Sequence, residues 1–399
     1  MELPPVFLKL QLPLVLSTVI VAQGLKPGIL RIFFTLPLLI ILASQALYRK
    51  ESADYGVDYP LQVGVCMAIF IYFDQILLAN PDKEKWHKIQ YGKQKEVESV
   101  KGESGKDGAI PQTFFGRVWW AIRFTTTTRY VGWSQQVKNV PIEVAADYSR
   151  WRFLVRKSLR AAFFIVLTDT EKAYTASTVH GGYRGFETGK VPVGLSGYPL
   201  FDQFKFTWMH IFITYGILEL SNTLYGIVSV ASGFANPREC PSLFGSLWGM
   251  YTVRKSWGLV WHQQTRRICQ TFGLFVARDV LRLRKGSFGS KYVQLFAAFA
   301  VSCATHGGAA MLLKKSWSAG NADHVCFFAQ AVAIFIEDHV IAIGKSMGFK
   351  DSAFWRAVGF VWVVAWFGLS LITYISTSMD NGIWIHEKQW DFFGVGPKV

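Results

Sequence analysis

Residues 292–313 read YVQLFAAFAVSCATHGGAAMLL, an apolar run that holds no acidic side chain and one basic side chain, His306. About 20 mostly apolar residues span the roughly 30 Å hydrocarbon core of a bilayer as an α-helix. A soluble fold has no need of such a run, so this stretch predicts a transmembrane helix. A histidine deep inside it is costly unless it has a partner or a task.

Runs of the same kind lie on both sides of this one. Six more fit a membrane span: 10–25, 32–48, 60–80, 206–237, 325–344 and 357–379. An eighth span over 152–168 stays open, because its apolar part is short and its start is basic. The first run lacks the basic start of a secretory signal peptide and a second run follows closely, so we expect it to be retained. We predict an all-α polytopic membrane protein with about seven or eight transmembrane helices.

The composition favours the same class. Hydrophobic residues make up 51% of the 399 residues and charged residues 17%, against about 25% in ordinary soluble domains. This excludes a disordered chain, a collagen and a small disulfide scaffold. The net charge of +15 points less to nucleic acid than to a membrane protein with basic loops, so lipid is an expected partner and nucleic acid is not. The five dispersed cysteines show no metal-ligand spacing, so we expect no metal site.

The charged loops predict the orientation of the chain. Residues 113–160 and 254–291 each hold nine Lys and Arg residues, which places both loops on the cytosolic side. Residues 81–112 are polar and mixed in charge, and predict a cytosolic loop. The glycine-rich stretch 171–205 predicts a loop on the opposite face.

Residues 242–273, SLFGSLWGMYTVRKSWGLVWHQQTRRICQTFG, mix aromatic and basic residues with a single histidine, His262. Tryptophans of this kind suit a membrane–water interface. The basic residues suit anionic headgroups or the phosphates of a nucleotide-type ligand. Composition alone favours an interfacial helix with a basic face, with a ligand site as the alternative.

The two histidine segments together resemble the wax-synthase-like branch of the membrane-bound O-acyltransferases. The resemblance rests on Ser-Leu-Trp-Gly at 246–249, Ser-Trp-Gly at 256–258, Trp-His-Gln at 261–263, and Ser-Cys-Ala-Thr-His at 302–306. Cys303 stands where the family usually has glycine. Upstream, the fungal members are matched through Arg129, Gly132, Trp133, Lys138, Asn139 and Pro141.

The resemblance covers roughly residues 110–380 and implies a helical bundle with an interior substrate tunnel. It divides the chain into N-terminal transmembrane helices over 1–80, the polar loop over 81–112, an acyltransferase core over 113–380 and a tail over 381–399. Chains of this kind look like fungal secondary-metabolism acetyltransferases. These act on terpenoid or meroterpenoid alcohols, and the membrane expected is the endoplasmic reticulum.

The implied reaction is acyl transfer from acetyl-CoA, a co-substrate rather than a bound cofactor, to a hydrophobic alcohol. His306 is the expected general base, and His262 its orienting partner or a donor to the developing oxyanion. The expected acyl-CoA contacts are Arg254, Lys255, Trp261, Gln263, Arg266 and Arg267, and the expected substrate-channel residues are Trp257, Glu337 and His339. The alternative for the basic residues is topology anchoring, and for Glu337 and His339 a structural hydrogen-bond role.

Two other functions fit parts of the sequence. A long-chain wax ester synthase needs the same apolar tunnel and differs in the length of the acyl chain. A multipass transporter would explain the ionisable residues inside the apolar runs, which are Asp74, Glu219, Glu337 and Asp338. Against the transporter stand the absence of an internal repeat and the Trp-rich basic segment.

Overall fold

The computed structural model describes residues 6–91, 110–184 and 192–398. Most of its regular structure is helical. The α-helices are α1 Leu8–Gly24, α2 Ile29–Tyr48, α3 Tyr55–Tyr72, α4 Phe114–Thr126, α5 Arg150–Ser177, α6 Leu200–Ala231, α7 Val253–Lys255, α8 Arg266–Leu274, α9 Phe288–Lys314, α10 Asn321–Ser346, α11 Ala353–Ser370 and α12 Ile372–Asp380. Wider, π-helical turns follow three of them, over Phe73–Leu78, Ser256–Val260 and Phe275–Val280. Gly182–Tyr183 (β1) and Ile385–His386 (β2) pair in parallel.

The predicted class, an all-α polytopic membrane protein, is confirmed. Within the described residues, six helices are long and apolar enough to cross a membrane: Ile29–Tyr48, Tyr55–Leu78, Leu200–Ala231, Phe288–Lys314, Trp317–Ser346 and Ala353–Asp380. The first predicted run forms α1, an apolar helix of 17 residues, at the short end of what spans a bilayer.

The open eighth span corresponds to α5, a helix of 28 residues. It packs antiparallel to α6, which is one of the six apolar helices. The Phe164 and Tyr215 ring centroids lie 5.9 Å apart, and Arg160 forms an ion pair with Glu219. Because α5 runs beside α6 at the same depth, an eighth crossing is favoured, and the number of crossings stays a prediction.

The expected loop over 171–205 is wrong at both ends. Helix α5 continues to Ser177 because Ala173 and Ala176 are buried, and α6 already begins at Leu200. The segment between them is tied to the C-terminal tail through the pairing of β1 and β2. Most of the predicted loop over 81–112 lies outside the described residues.

Helix α9 is central to the bundle and joins two hydrophobic cores. Ser287 caps its start by accepting a hydrogen bond from the Ser290 N–H, and the helix ends where Lys315 adopts a left-handed φ of 53°. Phe299 belongs to a core shared with α6, α10 and α11, whereas Ala309 and Ala310 belong to a core with α1 and α3. The turns of α9 between these residues, which include His306, therefore lie where the two cores meet.

Candidate functional site

His306 takes a contact from each of the two cores. Its Nδ1 lies 3.0 Å from the hydroxyl of Tyr59 on α3, and its ring stacks on Phe327 of α10 with centroids 4.6 Å apart. The Tyr59 hydroxyl donates in turn to Asp323 Oδ1 at 2.7 Å. Among the described residues, Nε2 of His306 has no hydrogen-bond partner, and the side chain is only half-buried. One ring nitrogen is thus held, and the other is free to act on a ligand.

Trp257 connects this histidine to the segment that contains His262. Its ring lies against Phe299, Phe327 and Phe367, with centroids 5.7, 6.4 and 5.9 Å away. It also packs at 6.1 Å against Trp261, whose ring lies 5.6 Å from that of His262. The structure therefore brings the two sequence motifs into one aromatic-lined region.

His262 differs from His306 in the hydrogen bonding of its Nδ1 atom. Its Nδ1 is buried and has no partner among the residues that the structure describes. Burial lowers the pKa of His262 to about 3, and the nearby charges of His306 and Arg129 act in the same direction. The imidazole is therefore neutral at physiological pH, with one nitrogen able to donate and the other able to accept.

The backbone around His262 is irregular and is held by side chains from elsewhere in the bundle. Glu337 on α10 accepts the N–H groups of Val253 and Arg254, at 2.7 and 3.0 Å. Glu219 on α6 accepts the Leu243 N–H at 2.8 Å. The Arg129 guanidinium donates to the carbonyls of Pro241, Ser242 and Leu243. Buried N–H and C=O groups outside a regular helix need partners of this kind.

Arg129 was singled out from the sequence only as part of the family resemblance. In the structure it is buried, with 2% of its surface exposed, and burial lowers its pKa to about 10. The guanidinium thus remains protonated at neutral pH. Its role here is to satisfy three consecutive carbonyls at the entry to the His262 segment.

The expected acyl-CoA contacts all have partners inside the protein. Arg267 pairs with Asp74 through Nε and Nη2, at 2.7 and 3.2 Å, and Arg254 pairs with Asp338 through two hydrogen bonds of 2.8 Å. Arg266 donates to the Gly258 carbonyl and to Gln263, both at 2.6 Å.

The remaining members of this set are also engaged. Lys255 donates to the Tyr251 hydroxyl and lies over its ring. Gln263 donates to the carbonyls of Trp257 and Trp261. Trp261 is half-buried against Phe244.

Two of the expected substrate-channel residues lie away from His306. Glu337 caps the backbone of α7 and accepts from the Trp362 indole at 3.1 Å. His339 contacts the Phe335 carbonyl at 2.7 Å and stacks on Tyr292. Asp323, which is linked to His306 through Tyr59, lies near the start of α10. Glu337 and His339 lie at least 14 residues further along the same helix, which is about 20 Å. Trp257 is the one of the three that contacts the surroundings of His306.

Sequence reasoning missed Tyr59, Asp323 and Phe327. Tyr59 and Asp323 lie just before the apolar runs 60–80 and 325–344, in helical turns that the structure adds to each run. A search for polar residues one turn outside each run would have found both. Phe327 lay inside a run, where nothing distinguished it from core residues.

Comparison with known proteins bears on this segment directly. The family model of the membrane bound O-acyl transferase family matches residues 240–330, which include His262, His306 and Asp323. The chain is 46% identical to the acetyltransferase sirH of Leptosphaeria maculans over 98% of this chain and 96% of that protein. It is 27% identical to the acetyltransferase ple2 of Rhodocybe pseudopiperita, over 86% of this chain and 84% of the relative. For the acetyltransferase eriL of Hericium erinaceus the identity is 28%, over 67% and 68% of the two chains. No solved structure matches the chain.

Proposed function

The chain belongs to the membrane bound O-acyl transferase family, as an acyl-CoA-dependent enzyme of the membrane with an alcohol acceptor, and we propose that it transfers an acetyl group to a terpenoid or meroterpenoid alcohol. The observation that supports acetyl-CoA as donor is the near full-length similarity to a relative named acetyltransferase. The aromatic surroundings of His306 suit a hydrophobic alcohol. The endoplasmic reticulum is the proposed membrane.

In the proposed reaction, His306 is the general base. Its Nε2 takes the hydroxyl proton as the alcohol oxygen bonds to the thioester carbonyl carbon. The C–S bond then breaks, and the CoA sulfur leaves with the proton that His306 carried. The reaction needs no acyl-enzyme, and the aromatic side chains around the imidazole would limit hydrolysis by excluding water.

His262 is the proposed donor to the oxyanion that develops on the carbonyl oxygen. Its unpartnered Nδ1 and its neutral state support this role, because the group would find its missing partner in the transition state. The alternative role of orienting His306 has no direct hydrogen bond to support it among the described residues.

Arg254, Lys255, Trp261, Gln263, Arg266 and Arg267 remain the proposed contacts of the acyl-CoA. Arg266 is favoured among them, because its buried Nε has no partner in the part of the chain that the structure describes. Arg267 is the weakest member, since its charge is already balanced by Asp74. Trp257 is the favoured member of the proposed substrate channel, ahead of Glu337 and His339.

The ionisable residues that suggested a transporter all have partners. Asp74 pairs with Arg267, Glu219 with Arg160 and Asp338 with Arg254, while Glu337 holds two backbone N–H groups. Charges satisfied in this way stabilise the fold and do not require an ion path.

Thermal unfolding of the purified protein with acetyl-CoA, palmitoyl-CoA and free CoA tests the proposal. A ligand at about 100 times its Kd stabilises by about 2.7 kcal/mol, which shifts the midpoint measurably. We expect acetyl-CoA to stabilise at least as strongly as palmitoyl-CoA, and acetylated product to form from a pool of terpenoid alcohols. A markedly larger shift with palmitoyl-CoA would contradict the acetyl donor and favour a wax ester synthase. No response to any of the three would overturn the proposed reaction.

A further inference from the structure

We propose that Tyr59 and Asp323 are positioning residues that hold His306 in the tautomer with hydrogen on Nδ1, so that the lone pair of Nε2 faces the reacting alcohol. The proposal rests on the proposed acyl transfer for its purpose. The hydrogen-bond arrangement itself can be measured without any turnover.

The assignment follows from counting hydrogens along the chain of contacts. A tyrosine hydroxyl has one hydrogen to donate, and a carboxylate can only accept. Asp323 Oδ1 takes the Tyr59 hydrogen at 2.7 Å. The 3.0 Å contact between Tyr59 and His306 Nδ1 is then a hydrogen bond only if Nδ1 carries the hydrogen. Nε2 is left with its lone pair exposed.

Asp323 is taken as the acceptor of the Tyr59 hydrogen: that hydroxyl favours the carboxylate, and burial opposes the charge. It lies in the first turn of α10. Its side chain is buried, with 3% of its surface exposed, so it is shielded from competing water. A carboxylate in this place accepts from Tyr59 and is the last group in the series of hydrogen bonds that begins at His306.

Three separate elements supply the three groups. Tyr59 lies in the second turn of α3, His306 in α9 and Asp323 at the start of α10. Tyr59 is itself held by stacking on Tyr55 at 5.0 Å and is buried, with 6% exposed. A proton taken up by Nε2 would create an imidazolium, and the Asp323 charge would stabilise it through Tyr59. The arrangement therefore serves both the resting base and its protonated form.

Nitrogen-15 NMR of the histidine-labelled protein in lipid vesicles tests the assignment directly, because the two ring nitrogens report separately whether they carry hydrogen. His306→Asn identifies the His306 signals. We expect the wild-type protein to show the Nδ1–H form. A wild-type His306 protonated on Nε2 would overturn the proposal.

Two variants of Asp323 make a prediction that a merely structural role does not. In Asp323→Ala the Tyr59 hydroxyl is released to donate to Nδ1, and we expect the hydrogen of His306 to move to Nε2. In Asp323→Asn the amide oxygen still accepts from Tyr59, and we expect the Nδ1–H form to return. An unchanged tautomer in Asp323→Ala would overturn the proposal.

Activity provides the second readout. We expect Tyr59→Phe to lower kcat for acetyl transfer at least tenfold with KM for acetyl-CoA within twofold. Tyr55→Phe, one turn earlier on the same helix, is the matched control and should keep both values. A Tyr59→Phe protein with wild-type kcat would overturn the positioning role. If the wild-type protein shows the Nδ1–H form but transfers no acetyl group, the proposed function fails while the tautomer assignment stands.

Discussion

The regions around His306 and His262 differ in where their backbone and side chains find hydrogen-bond partners. His306 lies in a regular helix whose backbone bonds are internal, and its Nδ1 is held by a side chain that is itself held. His262 lies on an irregular segment whose backbone depends on Glu219, Glu337 and Arg129, and its Nδ1 has no partner among the described residues.

The difference indicates a division of labour between the two regions. A helix leaves its side chains free to build a site, because it satisfies its own N–H and C=O groups. An irregular segment must take hydrogen bonds from its neighbours, and here it takes them from buried charged residues. In the proposed reaction, the helical region supplies a base that is oriented before substrate binds. The irregular region supplies a group whose hydrogen bonding a ligand would complete.

The largest effect is expected from removing the proposed base, His306. His306→Ala should lower kcat for acetyl transfer by about 100- to 10,000-fold, the range typical of general acid–base catalysis. Thermal unfolding should show a folded protein, and His87→Ala in a loop is the control. Wild-type turnover in His306→Ala would place the base elsewhere.

Substitution of Arg267 and of Arg266 separates residues that stabilise the fold near His262 from residues that contact the acyl-CoA. Arg267→Ala leaves the Asp74 carboxylate buried without its partner, and we expect a loss of about 3–5 kcal/mol in the free energy of unfolding. Arg266→Ala should leave stability closer to wild type and raise KM for acetyl-CoA. Both are measured by denaturant unfolding and steady-state kinetics.

The double variant Asp74→Asn with Arg267→Gln separates charge balance from ligand binding. It should recover most of the lost stability, because no unpaired charge remains buried. A double variant as unstable as Arg267→Ala would contradict this account. A raised KM for acetyl-CoA in the double variant would support Arg267 as an acyl-CoA contact.

Glu337 offers a smaller test of the same region. In Glu337→Gln one oxygen that accepts a backbone N–H becomes an NH₂ group, which leaves a donor facing a donor. We expect the free energy of unfolding to fall by about 1–3 kcal/mol. Glu387→Gln, at an exposed ion pair, is the control and should change little. Unchanged stability in Glu337→Gln would show that the cap is dispensable.

The smallest effect concerns the pH dependence of stability. The pKa of His262 is lowered to about 3 in the folded protein, against 6.5 when exposed, so the unfolded chain binds the extra proton as pH falls below 6.5. The contribution of His262 to the free energy of unfolding is complete above pH 6.5. Below pH 6.5 it falls by up to about 1.4 kcal/mol for each pH unit. His262→Asn should lose less stability between pH 7 and pH 5 than the wild-type protein. An equal loss in both would place the responsible group elsewhere, His386 being next with a pKa also lowered to about 3.

The sequence predicted the membrane class, the position of most helices and the two histidines, because each is written in a local pattern. Uncharged runs of about 20 residues have one stable arrangement in a bilayer, and this is a helix. The apolar runs did not predict where the helices begin. Tyr59 and Asp323 lie outside the runs and inside the helices. The pattern also failed at α5, whose length depends on packing against α6 rather than on its own hydropathy.

What the sequence by itself determined is therefore the set of spans and the presence of a histidine inside one of them. The tertiary structure alone decided which nitrogen of His306 is held, that Arg267 balances Asp74, and that Glu337 caps a segment of irregular backbone. The physical reason is that hydropathy and helical period act over neighbouring residues. Hydrogen bonds and ion pairs between helices depend on which faces meet, and that is settled only when the bundle packs.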